Sequence, residues 1–169
     1  ACDQVPMSGT VMIDSGSTTQ RFAELIPIDR NVHVLTNSLV SALTLARRGI
    51  QELTVLGGGV RTNTNAMVDA QTIETVRAMH VDVLFLSCDG LSFARGLTTP
   101  YPAEHHLKRA MIASARRVVA LVDNTKFGND QTYCFAPFDE IDVLVTDPGA
   151  SDDDVELLTD TGVEVQRAS

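Results

Sequence analysis

Four short polar segments, each directly after a run of β-branched and aliphatic residues, hold the chemistry of this chain. Asp14, Ser15, Gly16, Ser17, Thr18 and Thr19 follow Val11–Ile13, and Thr36, Asn37 and Ser38 follow Val32–Leu35. Cys88, Asp89 and Gly90 follow Val81–Ser87, and the run from Asp123 to Gly128, with Lys126, follows Val118–Val122. Hydroxyls, glycine amides and a lysine of this kind bind oxyanions, whereas carboxylates and amides orient hydroxyl groups. The first segment suits a phosphate or carboxylate at a helix N-terminus, and it is also readable as a simple cap with Ser17 or Thr18 as the capping residue. Asp14 would repel a phosphate and suits a sugar hydroxyl better. The second segment carries no charge and either orients a polyol or caps the next helix through Asn37 or Ser38.

Further candidates lie between these segments. Gly57, Gly58 and Gly59 permit close backbone approach, and Arg61 is placed to grip an oxyanion in bidentate fashion. Gly96, Thr98 and Thr99 precede Glu104 and Lys108, which share a helix face at i, i+4, the spacing of a surface ion pair. Asp123 and Lys126 end an apolar strand, where unpaired charges are costly, and so suggest a charged ligand.

The elements that must position these groups follow from the period of the apolar residues. Strands are expected at Val11–Ile13, Val32–Leu35, Leu53–Leu56, Val81–Ser87, Val118–Val122, Val143–Thr146 and Val163–Gln166. Helices fall between them at Ser17–Leu25, Ser38–Arg48, Thr72–Met79, Ala103–Ala115 and Asp152–Thr161. Such alternation predicts a single three-layer α/β domain with a mainly parallel sheet flanked by helices, whose ligands bind at the carboxyl ends of the strands. Residues 10–169 form that domain in this reading, and residues 1–9, with Pro6 and Gly9 and no period, read as a tail or linker remnant. Asp152, Asp153 and Asp154 need no role beyond opposing a helix dipole.

Composition narrows the function classes. Of 169 residues, 44% are hydrophobic, enough for one sizeable core. Thirteen Lys+Arg against 22 Asp+Glu give a net charge of −9, which opposes direct binding of a nucleic-acid backbone. Three scattered cysteines, Cys2, Cys88 and Cys134, suggest neither a zinc site nor a disulfide framework, and Cys88 reads as buried at a strand end. The four histidines lack metal-ligand spacing, with His105 and His106 on a solvated helix face. No apolar run is long enough for a membrane span, and a cytoplasmic setting is expected.

Taken in order, these segments resemble the C-terminal effector-sensing domain of DeoR-type bacterial transcriptional repressors. The matching stretches are Ile13–Thr19, Leu35–Ser38, Leu56–Gly58 with Arg61, Cys88–Gly90, Gly96–Pro100, Glu104 with Leu107–Ile112, and Asp123 with Lys126–Gly128. The resemblance implies the fold of ribose-5-phosphate isomerase and the CoA transferases, with a pocket for a phosphorylated sugar or polyol and no cofactor. By that analogy Ser15–Thr19 hold the phosphate, with help from Lys126, and Asp14, Thr36, Asn37, Asp89, Thr98, Thr99, Glu104 and Asp123 meet hydroxyls and the carbonyl end. Arg61 and Lys108 add positive charge. It also implies a homo-oligomer, dimer or tetramer, with DNA bound only through an N-terminal winged helix-turn-helix absent from this sequence. One departure stands out: the family's Val-Gly-Pro is Val68, Asp69 and Ala70 here, which puts a carboxylate near the pocket.

Two other classes compete with the sensor. A sugar-phosphate isomerase needs a general base, a role open to Glu104. That enzyme's second aspartate and its Lys-Gly-Gly-Gly are replaced by Leu91, Ser92 and Phe93 and by Arg95, Gly96, Leu97 and Thr98, so no residue is assigned as catalytic. A purely structural oligomerisation domain would carry apolar side chains at Asp14, Asp89, Glu104 and Lys126, which it does not.

Overall fold

A computed structural model describes residues 1–168. Its centre is a seven-stranded, wholly parallel sheet made from β1 (Ser8–Ile13), β2 (Asn31–Thr36), β3 (Leu53–Val55), β6 (Val81–Leu86), β9 (Ala115–Leu121), β11 (Val143–Thr146) and β12 (Glu164–Arg167). Two short strands, β4 (Val60–Arg61) and β5 (Ala66–Met67), form a hairpin, and β7 (Gly90–Ser92), β8 (Gly96–Thr99) and β10 (Tyr133–Ala136) form a small antiparallel sheet. The helices are α1 (Ser17–Leu25), α2 (Leu39–Arg47), α3 (Ala70–Arg77), α4 (Pro102–Ser114) and α5 (Asp152–Asp160).

Alternation along the strands produces the three layers. Val11 and Ile13 of β1, with Val83 and Phe85 of β6, face a core shared with Phe22, Ala23 and Ile26 at α1 and Leu45 of α2. Met12, Leu84 and Leu86 face the opposite way, against Val76 of α3, Leu107 and Met111 of α4, Leu158 of α5 and Phe135 of the small sheet. A strand pointing successive side chains to opposite faces, buried on both, reads as a continuous apolar run, which is how these strands stand in the sequence. Phe22 stacks on Phe85 with ring centroids 4.3 Å apart and thereby fixes α1 over the junction of β1 and β6.

Strand order decides where the site lies. The sheet runs β12-β11-β9-β6-β1-β2-β3, so the chain winds outward from β1 through β2 to β3, then returns to β6 on the other side of β1 and winds the opposite way. The segments that leave β1 and β6 diverge to opposite faces and open a crevice at their carboxyl ends.

Several elements differ from the sequence-based expectation. Residues 1–7 pack on the domain instead of trailing: Cys2–Gln4 form a 3₁₀ turn, Val5 is buried, and β1 starts at Ser8. The polar start of β1 is held by pairing with Asn31, Val32 and His33 and by the Asp82 carboxylate, which accepts from the Thr10 N–H at 2.9 Å, contacts that hydropathy does not register. The small antiparallel sheet lies outside the strands expected from the apolar period, because glycines and polar residues interrupt that period between Gly90 and Thr99. Gly90 belongs to it by necessity, since a Cβ there would collide with the Asn129 carbonyl oxygen.

Candidate functional site

The crevice at the β1/β6 junction is the mouth of a cavity of about 340 Å³, within the range of small-ligand sites. Its wall comprises Ser15, Gly16, Ser17, Thr18, Gln20, Ser38, Val40, Thr64, Ser87, Cys88, Asp89, Tyr101, Glu104, Lys108 and Lys126. Nine of these were singled out from the sequence: Ser15, Gly16, Ser17, Thr18, Ser38, Asp89, Glu104, Lys108 and Lys126.

One end of the cavity is the start of α1. Gly16 is its N-cap residue, and no side chain caps the helix, so neither Ser17 nor Thr18 plays the capping part. The first-turn N–H groups and the positive end of the helix dipole are left for a ligand or solvent, the usual arrangement of an anion site. Gly16 is required there because a Cβ would collide with the Ser87 hydroxyl. Thr18 Oγ1 donates to Asp123 Oδ2 at 3.4 Å, and Asp123 caps the 3₁₀ turn Asn124–Lys126. That bridge holds the turn carrying Lys126 against the first turn of α1. Lys126 makes no ion pair with any described residue.

Lys108 lines the floor, and Asp14 lies directly behind it. They are 3% and 1% exposed and joined in an ion pair, with Lys108 Nζ also donating to the Ser87 carbonyl at 2.9 Å and lying 5.2 Å from the Phe135 ring centroid. Burial opposes charge on the ammonium, yet the Asp14 charge and hydrogen bond, with Glu104 and Cys88 adding, hold its pKa above the ordinary lysine value. Asp14 is thereby spent on Lys108 and stands behind the cavity wall, not in the ligand position expected from sequence.

Glu104 and Asp89 also line the cavity. Arg61, on the β4–β5 hairpin, donates to Glu104 Oε1 at 2.9 Å and lies 4.1 Å above the Tyr101 ring. Glu104 and Lys108 do not form the surface pair that their i, i+4 spacing allows; each has a longer-range partner, Arg61 and Asp14, because α4 turns both residues inward. Burial, with the repulsion of Asp14 and Asp89, raises the Glu104 pKa against the lowering pull of Lys108 and Arg61. Asp89 Oδ2 accepts from Thr99 Oγ1 at 2.6 Å. Cys88 lines the cavity as a thiol, its pKa pushed up to about 12 chiefly by burial, which removes it as a nucleophile.

The remaining sequence candidates support the wall without lining it. Thr19 Oγ1 donates to the Gly16 carbonyl, and Thr36 Oγ1 accepts from the Ser38 N–H. Asn37 Nδ2 donates to Ser15 Oγ at 3.3 Å and to the Met67 carbonyl at 3.1 Å, tying the hairpin to the anion loop. Gly57 and Gly58 serve α3: the Gly57 carbonyl accepts from Thr72 Oγ1, and a Cβ on Gly58 would strike Asp69 and Thr72. Gly90, Gly96 and Thr98 build the small sheet, where Thr98 Oγ1 donates to the Gly90 carbonyl. Asp69 is absent from the cavity wall. It caps α3, accepting from the Thr72 and Gly59 N–H groups, and the Gly59 bond followed by those from Thr72 lowers its pKa.

Six wall residues escaped the sequence reading. Gln20 falls three residues after Ser17, in reach of the same helix end, and Tyr101 stands between Pro100 and Pro102 at the start of α4, both signals that spacing offers. Thr64 comes from the β4–β5 hairpin, an element placed only by the fold, Val40 is an apolar residue of the helix expected at Ser38–Arg48, and Ser87 and Cys88 read as the end of a buried strand.

The family model of the DeoR C terminal sensor domain matches residues 1–148. The chain belongs to this family. Relatives of the DeoR-type sensor include the putative aga operon transcriptional repressor of Escherichia coli O157:H7, 31% identical over 92% of this chain and 58% of that protein. The HTH-type transcriptional regulator GlpR of Haloferax volcanii is 32% identical over 98% of this chain and 64% of its own length. The glycerol-3-phosphate regulon repressor of Escherichia coli K12 is 25% identical over 97% and 65%. The chain thus spans less than two thirds of these relatives. Ribose 5-phosphate isomerase A from Neisseria gonorrhoeae superposes with a TM-score of 0.53 over 75% of this chain and 49% of that enzyme, at 19% identity, which fixes the shared fold. Among the described residues, no helix is long and apolar enough to cross a membrane, and no group of three or more His, Cys, Asp or Glu is arranged to hold a metal ion.

Proposed function

We propose that this DeoR-type sensor domain binds a phosphorylated sugar or polyol in the β1/β6 cavity and, in a longer cytoplasmic, homo-oligomeric regulator, biases DNA binding by an N-terminal helix-turn-helix. The observation that carries the reading is the uncapped start of α1 beside Lys126, which has no ion-pair partner among the described residues, in a cavity that also offers carboxylates and hydroxyls. A phosphate suits the helix start, and a polyol chain suits the carboxylates and hydroxyls. A relative named for a glycerol-3-phosphate regulon supports the same ligand class. Coupling to DNA binding is expected on the scale of about 1 to 3 kcal/mol, as for allosteric pairs in general.

The site is read as non-catalytic. Glu104, the one candidate base, is held by Arg61, and the isomerase's second aspartate is replaced in a segment where Leu91 is wholly buried. Arg95, where the enzyme has lysine, pairs with Asp130. Ribose 5-phosphate incubated with the chain should give no ribulose 5-phosphate. Glycerol 3-phosphate, fructose 1-phosphate, fructose 6-phosphate and sorbitol 6-phosphate titrated into ¹⁵N-labelled chain should include at least one that shifts the amide signals of Ser15, Gly16, Ser17, Thr18 and Lys126. Shifts confined to other residues, or isomerase turnover, would contradict the proposal.

A further inference from the structure

We infer that the β4–β5 hairpin is a strap across the mouth of the cavity, fixed along β5 and latched through Arg61 on β4, and that passage into the cavity requires the latch to open. The strap governs entry whatever class of ligand the cavity takes.

The layers put the hairpin where it can act. α2 packs on one face of the sheet through Leu45, and α4 packs on the other through Leu107 and Met111. A segment bonded to the starts of both helices therefore crosses the carboxyl edge of the sheet, where the cavity opens. The hairpin is such a segment: its Asn65 carbonyl accepts from the Leu39 N–H at the start of α2, and its Arg61 reaches Tyr101 and Glu104 at the start of α4. Thr64 of the hairpin lines the cavity together with Tyr101 and Glu104, so the latch closes on the wall itself.

The two limbs are held by different kinds of bond. On β5 the Met67 N–H donates to the Asn37 carbonyl at 2.9 Å, the Leu39 N–H donates to the Asn65 carbonyl at 2.9 Å, and Asn37 Nδ2 donates to the Met67 carbonyl at 3.1 Å. The base is closed by the Gly59 N–H donating to the Asp69 carboxylate. On β4, Val60 is exposed, and neither it nor Arg61 makes a main-chain bond outside the hairpin among the described residues. That limb is held across the mouth by the Arg61 side chain alone, paired with Glu104 at 2.9 Å and lying 4.1 Å above the Tyr101 ring. With side chains 26% and 13% exposed, the ion pair exchanges with water, and together with the cation–π contact it favours the closed form by about tenfold. The β5 limb stays anchored when that contact breaks, so β4 swings and the hairpin does not detach.

Trypsin and a thiol reagent test this on the chain without ligand. Trypsin must take Arg61 into its own specificity pocket to cut the Arg61–Thr62 bond, so cutting there reads how often the latch is open, with the Arg77–Ala78 bond at the end of α3 as reference. Tyr101→Leu removes the cation–π contact and should speed cutting after Arg61 by about threefold or more, with cutting after Arg77 changed by less than about twofold. Labelling of Cys88 by methyl methanethiosulfonate, in a chain carrying Cys2→Ser and Cys134→Ser, reads passage into the cavity. Arg61→Gln should speed that labelling by about threefold or more, and Arg61→Lys, which keeps the charge, should fall between. Arg61 is neither a wall residue nor one of the charges that chiefly act on the Cys88 thiol, so a faster reaction reports access. Labelling at an unchanged rate in Arg61→Gln overturns the strap. So does an equal rise in cutting after Arg61 and Arg77 in Tyr101→Leu, the mark of general loosening. If Arg61→Gln does not fold, the ratio of the two cuts in Tyr101→Leu decides alone. Neither readout involves a phosphorylated compound, so the strap and the sugar-phosphate reading stand or fall separately.

Discussion

Replacing Lys108 with methionine is expected to destabilise the domain by about 3 to 5 kcal/mol, the cost of leaving one partner of a buried ion pair uncompensated. Asp14 is 1% exposed, and beyond Lys108 its carboxylate has only the Ser87 N–H at 3.4 Å. An ionised group there without its partner is pushed toward protonation or drags the β1 end apart. Against a total stability of about 5 to 15 kcal/mol the loss is a large fraction, lowering the melting temperature by on the order of 10 °C. The double variant Asp14→Asn, Lys108→Met should recover part of that loss, because it removes both charges and preserves volume. Urea unfolding of the three proteins checks this, and a Lys108→Met loss below about 1 kcal/mol would show that the pair is not the floor of the site. The consequence for function is direct: the same pair holds the end of β1, from which the anion loop departs.

Lys126→Ala should act on the ligand instead of the fold. The side chain makes no ion pair with a described residue, so the melting temperature without ligand should change little. A charge-assisted hydrogen bond to a phosphate contributes about 1.5 to 3 kcal/mol, so affinity for a phosphorylated ligand should fall by about 10- to 100-fold. Affinity for the same compound without phosphate should fall less than about twofold, since it carries no anion for the ammonium to meet. Equal losses for both forms would show that Lys126 does not touch the phosphate. Titration calorimetry on the matched pair reads the difference.

Much of this site is written locally, and the remainder depends on topology. Ser15, Ser17, Thr18, Ser38, Asp89 and Lys126 are legible because each follows an apolar run, and in a parallel sheet the ends of such runs converge. The same rule over-reaches at Asp14, Thr36 and Thr98, whose polar atoms are consumed by the backbone or by a partner behind the wall, whereas Asn37 donates through Nδ2 and keeps a buried Oδ1 with no partner among the described residues. Nothing in the spacing of Asp14 and Lys108, 94 positions apart, indicates that they meet. That contact exists because β6 returns beside β1 and α4 packs across them, a fact of strand order. The i, i+4 spacing correctly set Glu104 and Lys108 on one face of α4. It could not show that the face points inward, where Arg61 and Asp14 await the two charges. Asp69 is the converse case, a carboxylate expected near the ligand that has the ordinary work of ending one segment and starting a helix.

The measurement that bears most directly on the account is a thermal-shift comparison of matched pairs: glycerol 3-phosphate, fructose 1-phosphate, fructose 6-phosphate and sorbitol 6-phosphate, each beside its unphosphorylated parent. A ligand at 100 times its dissociation constant adds about 2.7 kcal/mol to stability, which for a domain of this size raises the melting temperature by roughly 5 to 10 °C. The account predicts such a rise for at least one phosphorylated member and none for its parent. A parent compound that stabilises the chain as strongly as its phosphate ester would contradict the assignment of the α1 end as a phosphate site.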